Sequence, residues 1–232
     1  MAHLFFFEEN LPGTSQFILS EESSKHIVQV LRMEEKDEIV ITNGSGRIVS
    51  AQILVADKKK TTVKILHETL IAPPEYKITL AVSLIKNSNR FEWLIEKATE
   101  IGVSAIIPIM CKRTEKTHFR HERMKSIAIS AMLQSGQAWL PQISLPVKIN
   151  EVLNSEDYQH KFIAHCIKEE KKNLNEIFVD KNASRIILIG PEGDFTEEEV
   201  RDAIQQNFVA VALGDNRLRT ETAGLVAAVL LK

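Results

Sequence analysis

Two apolar segments near the C-terminus, each running straight into a glycine loop and then a helix, constrain this chain more than any other feature. The first is Arg185-Ile186-Ile187-Leu188-Ile189, then Gly190-Pro191-Glu192-Gly193-Asp194-Phe195, then an acidic helix start after Thr196. The second is Val209-Ala210-Val211-Ala212-Leu213, then Gly214-Asp215-Asn216-Arg217-Leu218-Arg219-Thr220, then an apolar helix opening with Glu221-Thr222-Ala223-Gly224. Short continuous apolar runs suit strands buried on both faces, as in parallel sheets. Consecutive parallel strands end at one sheet edge, where open α/β folds bind ligands. The spacing therefore predicts two loops side by side around one crevice.

Upstream, from Tyr76, strand and helix patterns alternate. Residues 77–84 read as a buried strand, and 89–101 as a helix with Phe91, Leu94, Ile95, Ala98 and Ile101 on one face and Gly102 as its stop. Residues 103–109 read as a strand whose Pro108 favours an end or an edge. A second helix covers about 121–135, with Met124, Ile127, Ala128, Ala131 and Met132 inward and Gly136 after it, and 161–166 is a third strand. Such alternation implies a mainly parallel sheet covered on both faces.

The first 72 residues read differently, as a small, mostly β domain. Residues 38–42 and 47–54 flank Asn43-Gly44-Ser45-Gly46, a strong hairpin signal, and 61–66 is a further strand. Residues 23–32 read as a short helix with Ile27, Val30 and Leu31 on its apolar side. Ile71-Ala72-Pro73-Pro74 breaks the pattern, which places the boundary between domains 1–72 and 73–232.

The loops carry different chemistry. Gly190 and Gly193 permit close backbone approach, and Thr196 with Glu199 forms a capping box. Glu197, Glu198 and Glu199 in the first helical turn would repel a phosphate, and neither a P-loop nor G-x-G-x-x-G occurs. The ligand expected here is a base or zwitterion. At Arg219-Thr220-Glu221-Thr222 one reading makes Thr220 the N-cap and pairs Arg219 with Glu221 or Asp194. The other turns Arg219 toward a substrate that becomes anionic, in a purely electrostatic role, since arginine does not act as a base.

Composition excludes several classes. No apolar run approaches the roughly 20 residues of a membrane span, and the N-terminus lacks a basic n-region and a long apolar core, so a cytoplasmic protein without a membrane role is expected. Cys111 and Cys166 show no metal-type spacing, and no metal is expected. A net charge of -2 argues against non-specific coating of nucleic acid, yet residues 112–125 carry a local excess of +4. That stretch is either a solvated loop and first helical turn or a phosphate-contacting patch.

Four motifs then appear in order: Asn89-Arg90-Phe91-Glu92-Trp93-Leu94-Ile95-Glu96-Lys97-Ala98-Thr99-Glu100-Ile101-Gly102-Val103, Gln134-Ser135-Gly136, Ile189-Gly190-Pro191-Glu192-Gly193 and Leu218-Arg219-Thr220-Glu221-Thr222-Ala223. Each alone is weak; in this order and spacing they closely resemble the bacterial RsmE family, the 16S ribosomal RNA uridine-N3 methyltransferases of the SPOUT class. Residues 26–32 also resemble that family's PUA-like β-barrel RNA-binding domain. The resemblance implies an α/β fold, a mainly parallel sheet with a C-terminal trefoil knot, behind a small PUA-like barrel. It implies S-adenosylmethionine as cofactor, 16S rRNA or the small ribosomal subunit as partner, and a homodimer.

Carried over by residue, the resemblance assigns cofactor contacts to Gly190, Pro191, Glu192, Gly193, Leu213, Gly214 and Leu218. It places Arg219 beside the methyl-transfer site and gives RNA contacts to Arg32 and Arg113; Arg219 and Glu221 are the expected catalytic residues. Uridine N3 must lose a proton, for which Glu221 and Glu192 are both candidates, and Arg219 would stabilise the resulting charge. Three departures from the family pattern stand out: Asp194 replaces a glycine, Gln137 an arginine, and Asn216-Arg217 a basic-then-apolar pair. A catalytically silent RNA-binding protein on the same scaffold is the alternative expectation; a small-molecule or protein methyltransferase fits poorly with an RNA-type barrel.

Overall fold

A computed structural model of the chain describes residues 5–167, 170–177, 180 and 182–232. Met1 to Leu4, at the start of the first expected domain, lie outside the described residues. The chain divides into two compact units. One runs up to Pro73 and takes in Met132–Leu140; the other comprises Pro74–Ala131 and Pro141–Lys232.

In the first unit, Asn43-Gly44-Ser45-Gly46 turns β3 (Glu38–Thr42) back onto β4 (Arg47–Val55), and β4 pairs antiparallel with β5 (Thr62–Leu70). Two short strands not legible in the sequence, β1 (Phe5–Phe7) and β2 (Gln16–Ile18), extend the sheet to the order β1-β3-β4-β5-β2. Register shifts between β4 and β5 at Ser50/Ala51 and Ile53/Val55 supply the local twist that curls it. Inward residues alternate along β3 and β4: Ile39 and Ile41, then Val49, Ala51 and Ile53, all essentially buried, with Ile27 and Val63 packed among them. The expected single helix is two pieces. Ser20 caps α1 (Glu21–Lys25), accepting the Ser23 N–H, and the chain then widens into a π turn over His26–Val30 that ends at Arg32 with φ 54°.

Met132–Leu140 joins this unit through hydrogen bonds the local sequence does not announce. Gly46 N–H donates to the Ala138 carbonyl (2.9 Å), Leu140 N–H to Gly44 (2.8 Å), and Trp139 Nε1 to Ala72 (3.1 Å).

The second unit is a fully parallel sheet. Its strands are β6 (Lys77–Ser83), β7 (Ala105–Met110), β8 (Gln142–Ile143), β9 (Val147–Lys148), β10 (His160–Ala164), β11 (Lys172–Asn173), β12 (Ser184–Ile189) and β13 (Val209–Ala212). The order is β11-β13-β10-β12-β6-β7-β8, with β9 also on β7. Thus β12 and β13 are not neighbours: β10 lies between them and pairs with both. Nor does Pro108 lie on an edge strand. It is buried opposite Val82 of β6, while β8 covers only Ala105 and Ile106 and β9 only Ile109 and Met110. The Ile106 carbonyl accepts Ser144 N–H on that side, so the two-residue repeat points the missing Pro108 donor into the gap between β8 and β9.

Both faces are covered. Ile186 and Leu188 of β12 belong to one apolar cluster with Phe195 of the following loop, Val200 and Ala203 of α5 (Glu197–Gln205), and Ile149, Val152 and Leu153 of α4 (Ile149–Leu153). On the other face α2 (Ser88–Ile101), ended by Gly102 at φ 93°, packs against α6 (Thr220–Leu230), which also contacts β6 and β12. To run from β13 to α6 the chain therefore crosses the C-terminal ends of β10 and β12, the passage that the implied knot requires. α3 (His121–Gln134) buries Met124, Ala128, Ala131 and Met132.

Candidate active site

The crossing makes one cavity of about 760 Å3 from three strand ends: Ala164–Ile167 at the end of β10, Ile189–Glu192 and Asp194 at the end of β12, and Val211–Arg219 at the end of β13. Its volume lies within the range of small-molecule sites.

The Gly190–Phe195 loop is tight because the chain turns back on itself. A Cβ on Gly190 would lie 3.1 Å from both the ring and the backbone nitrogen of Phe195, whose side chain is sunk into the core. Asp194 N–H donates to the Pro191 carbonyl at 2.9 Å, and Asp194 sits at φ 65°, a conformation Asp tolerates better than most residues. Its carboxylate accepts the Phe195 N–H at 2.8 Å and the Cys166 N–H at 2.7 Å. The residue standing in place of the family's glycine thus ties the β10 and β12 ends together.

Thr196 and Glu199 form the expected capping box at the start of α5. The Glu199 carboxylate, nearly buried, also accepts the Lys112 N–H at 2.7 Å. Lys112 Nζ donates to Glu198, and that hydrogen bond holds the Glu198 carboxyl below its ordinary range.

The second loop leans on the first. Gly214, at φ 123°, takes the chain out of β13. The Arg217 guanidinium donates to the Glu192 carbonyl at 3.3 Å, and the buried Thr220 hydroxyl donates to the Gly190 carbonyl at 3.0 Å. The N-cap of α6 is Arg219, not Thr220, which is the first helical residue. Arg219 is exposed in the cavity wall and forms no ion pair with Glu221 or Asp194.

Of the two carboxylates considered as bases, Glu192 belongs to the cavity wall and accepts the Lys86 N–H at 3.1 Å. Glu221 is nearly buried, with its carboxylate 3.6 Å from Arg90 Nε, and it is Arg90 that reaches the cavity. Gly190, Pro191, Leu213, Gly214 and Leu218 line the cavity; Gly193 does not. Gly193 carries Arg113 instead: the guanidinium donates to the Gly193 carbonyl at 2.7 Å and the Phe195 carbonyl at 3.3 Å, so it braces the loop. Arg32 is exposed in the first unit.

Sequence reading missed Arg90 and the β10 end with His165, Cys166 and Ile167. Arg90 stood within a recognised motif but signalled only a helix. The β10 end carried no glycine loop, and its place between β12 and β13 is a matter of long-range pairing. Among the described residues no group of three or more His, Cys, Asp or Glu is placed to hold a metal ion, and no helix is long and apolar enough to cross a membrane.

Comparison with known proteins places this geometry. Residues 72–232 match the family model of an RNA methyltransferase domain, and residues 19–66 match that of an RNA methyltransferase PUA domain. The ribosomal RNA small subunit methyltransferase E of Bacillus subtilis is 31% identical over 95% of this chain and 91% of its own length. That of Buchnera aphidicola is 28% identical over 98% and 91%. The crystal structure of the same enzyme from Neisseria gonorrhoeae, bound to S-adenosylmethionine, superposes with a TM-score of 0.87 at 30% identity, covering 98% of this chain and 95% of that one. The parallel sheet, the C-terminal crossing and the N-terminal PUA domain all agree, and the chain belongs to the ribosomal RNA small subunit methyltransferase E family of RNA methyltransferases.

Proposed function

We propose that this protein is an S-adenosylmethionine-dependent methyltransferase acting on N3 of a uridine in 16S ribosomal RNA, in the cytoplasm and as a homodimer. The observation that carries the reading is the cavity at the three strand ends, whose wall takes in Arg90 and the residues 189–192 and 218–220 of three of the four motifs. Nearly full-length similarity to proteins named as ribosomal RNA methyltransferases favours catalysis over the silent RNA-binding alternative.

The residues fit the cofactor. Ile189, Leu213 and Leu218 supply apolar walls for an adenine ring, backbone groups of both loops supply polar contacts, and the acidic first turn of α5 disfavours a phosphate. When bound, S-adenosylmethionine supplies an electrophilic methyl group on a sulfonium. The chain's own part is positioning and charge. The Thr220–Gly190 and Arg217–Glu192 hydrogen bonds hold the two loops at one spacing, which fixes the line of attack. As N3 loses its proton, charge spreads over the flanking carbonyl oxygens, and Arg219, a cavity-wall cation with no ion pair among the described residues, would stabilise it. Glu192, one of three carboxylates in the wall with Asp194 and Asp215, is the candidate to take the N3 proton, directly or through water. Glu221 acts one step back, orienting Arg90 at the rim.

Gly190, Pro191, Glu192, Leu213, Gly214 and Leu218 are assigned to the cofactor, Gly193 to its loop, and Arg32 of the PUA domain to RNA. Arg113 serves RNA binding through the loop it braces. Mass spectrometry of 16S rRNA from a deletion strain tests the whole: the expected result is loss of one methyluridine, and unchanged content refutes the substrate. Arg219→Ala should abolish methyl transfer with cofactor affinity retained; near-wild-type turnover removes Arg219 from the mechanism. Sedimentation equilibrium tests the dimer.

A further inference from the structure

A second cavity, of about 300 Å3, lies on the other side of the first turn of α2. Arg90 reaches the methyl-transfer cavity, whereas its neighbour Phe91, with Ser88, lines this second one. Lys86, next to the lining residue Ile85, donates its N–H to Glu192 of the cofactor loop, so one short segment links the linings of the two cavities.

The composition of this pocket is unusual. Its floor is apolar, from Leu84, Ile85 and Met124, and Phe119 sits edge-on to Phe91 with centroids 6.0 Å apart and planes at 86°. Its rim is polar, with the cations Lys116 and Arg120 beside His118.

The basic stretch at 112–125 explains which charges are available. Lys112 is engaged by Glu198, Arg113 by the Gly193 and Phe195 carbonyls, and Arg123 by Glu92 at 3.0 Å. Arg120 is steadied by the same Glu92 at 3.6 Å, yet its side chain stays 60% exposed. Lys116 has no carboxylate partner among the described residues. An aromatic floor with cations at the rim is the combination that takes a stacked base and its phosphates.

We propose that this pocket receives one unpaired base of the RNA strand, a neighbour of the methylated nucleotide, stacked on Phe119 with its phosphates met by Lys116 and Arg120. Its size admits a single nucleobase. This deepens the methyltransferase reading and rests on it for the identity of the RNA.

The test measures binding of unmethylated 16S rRNA by equilibrium filter binding across a salt series, apart from turnover. Cofactor affinity is followed in parallel by calorimetry. Phe119→Ala should weaken RNA binding by about tenfold or more, with cofactor affinity unchanged and Phe119→Trp restoring affinity. Lys116→Glu, which leaves the apolar floor intact, should weaken binding and reduce the salt slope by about 0.7, since one phosphate is no longer neutralised. Unchanged RNA affinity in both variants overturns the proposal, as does a loss confined to cofactor affinity. Failure of the methyltransferase reading looks different: the wild type then shows no methyl transfer while the RNA-binding arm still reports on the pocket.

Discussion

Thr220→Val offers the sharpest probe of how the site is held. The substitution keeps side-chain shape and removes one donor, the hydroxyl that gives its hydrogen bond to the Gly190 carbonyl at 3.0 Å. Both residues are buried, so water does not replace the missing partner. Removing one member of a buried pair costs about 1–3 kcal/mol, against the smaller net value of a bond exchanged with water. A loss of about 2 kcal/mol would lower Tm by about 4–8 °C in a domain of this size. The bond also sets the spacing of the two loops, so any part of that energy recovered on ligand binding appears as weaker affinity, about tenfold for each 1.4 kcal/mol. Differential scanning calorimetry and titration with S-adenosylmethionine read the two effects. Thr220→Ser keeps the donor and should recover most of both. If Thr220→Val melts with the wild type and binds with unchanged Kd, the loops are not held by this hydrogen bond and the argument fails.

Asp194 makes a graded prediction. Asn keeps one acceptor oxygen, Gly loses both bonds but is at ease at φ 65°, and Ala loses both while keeping strain of about 1 kcal/mol. Thermal stability should fall in the order Asp, Asn, Gly, Ala, and Ala melting above Gly would contradict it. At Gly224 an added Cβ would lie 2.9 Å from Leu94 Cδ1, and Leu94 is fully buried. Overpacking of about 1–3 kcal/mol outweighs the roughly 1 kcal/mol helix gain, so Gly224→Ala should be destabilised in urea, and a stabilised variant would mean α2 and α6 have slack. The two thiols should separate cleanly. Burial, and then the nearby Glu199, push Cys111 up to about 12, whereas Cys166 is exposed in the cavity. A chromogenic disulfide reagent should titrate one thiol in the native protein and the second only on unfolding, with S-adenosylmethionine slowing the first; two fast thiols would refute the placement.

Much of this architecture was legible from local chemistry. The apolar face of α2 with Gly102 after it, the Asn-Gly hairpin, and the Thr196–Glu199 box each depend on residues within one or two turns of one another, and each formed as the pattern predicts. Pro108 marks the limit of that kind of reading. A proline announces a missing donor, but only the interruption between β8 and β9 says where the missing donor points.

The site follows the same division. Glycines at 190 and 214, the acidic start of α5 and the Arg219–Thr222 run are local facts, and they were enough to expect a pocket that rejects phosphate. That β10 stands between the two loop-bearing strands, that Met132–Leu140 binds back to the hairpin, and that Arg90 rather than Glu221 reaches the cavity are not local. Strand order, chain crossing and the partner of each charged side chain depend on segments far apart in sequence. Their interaction energies exist only once the chain has closed on itself. The residue types thus set which chemistry the pocket can do, and the long-range packing decided which of those residues face it.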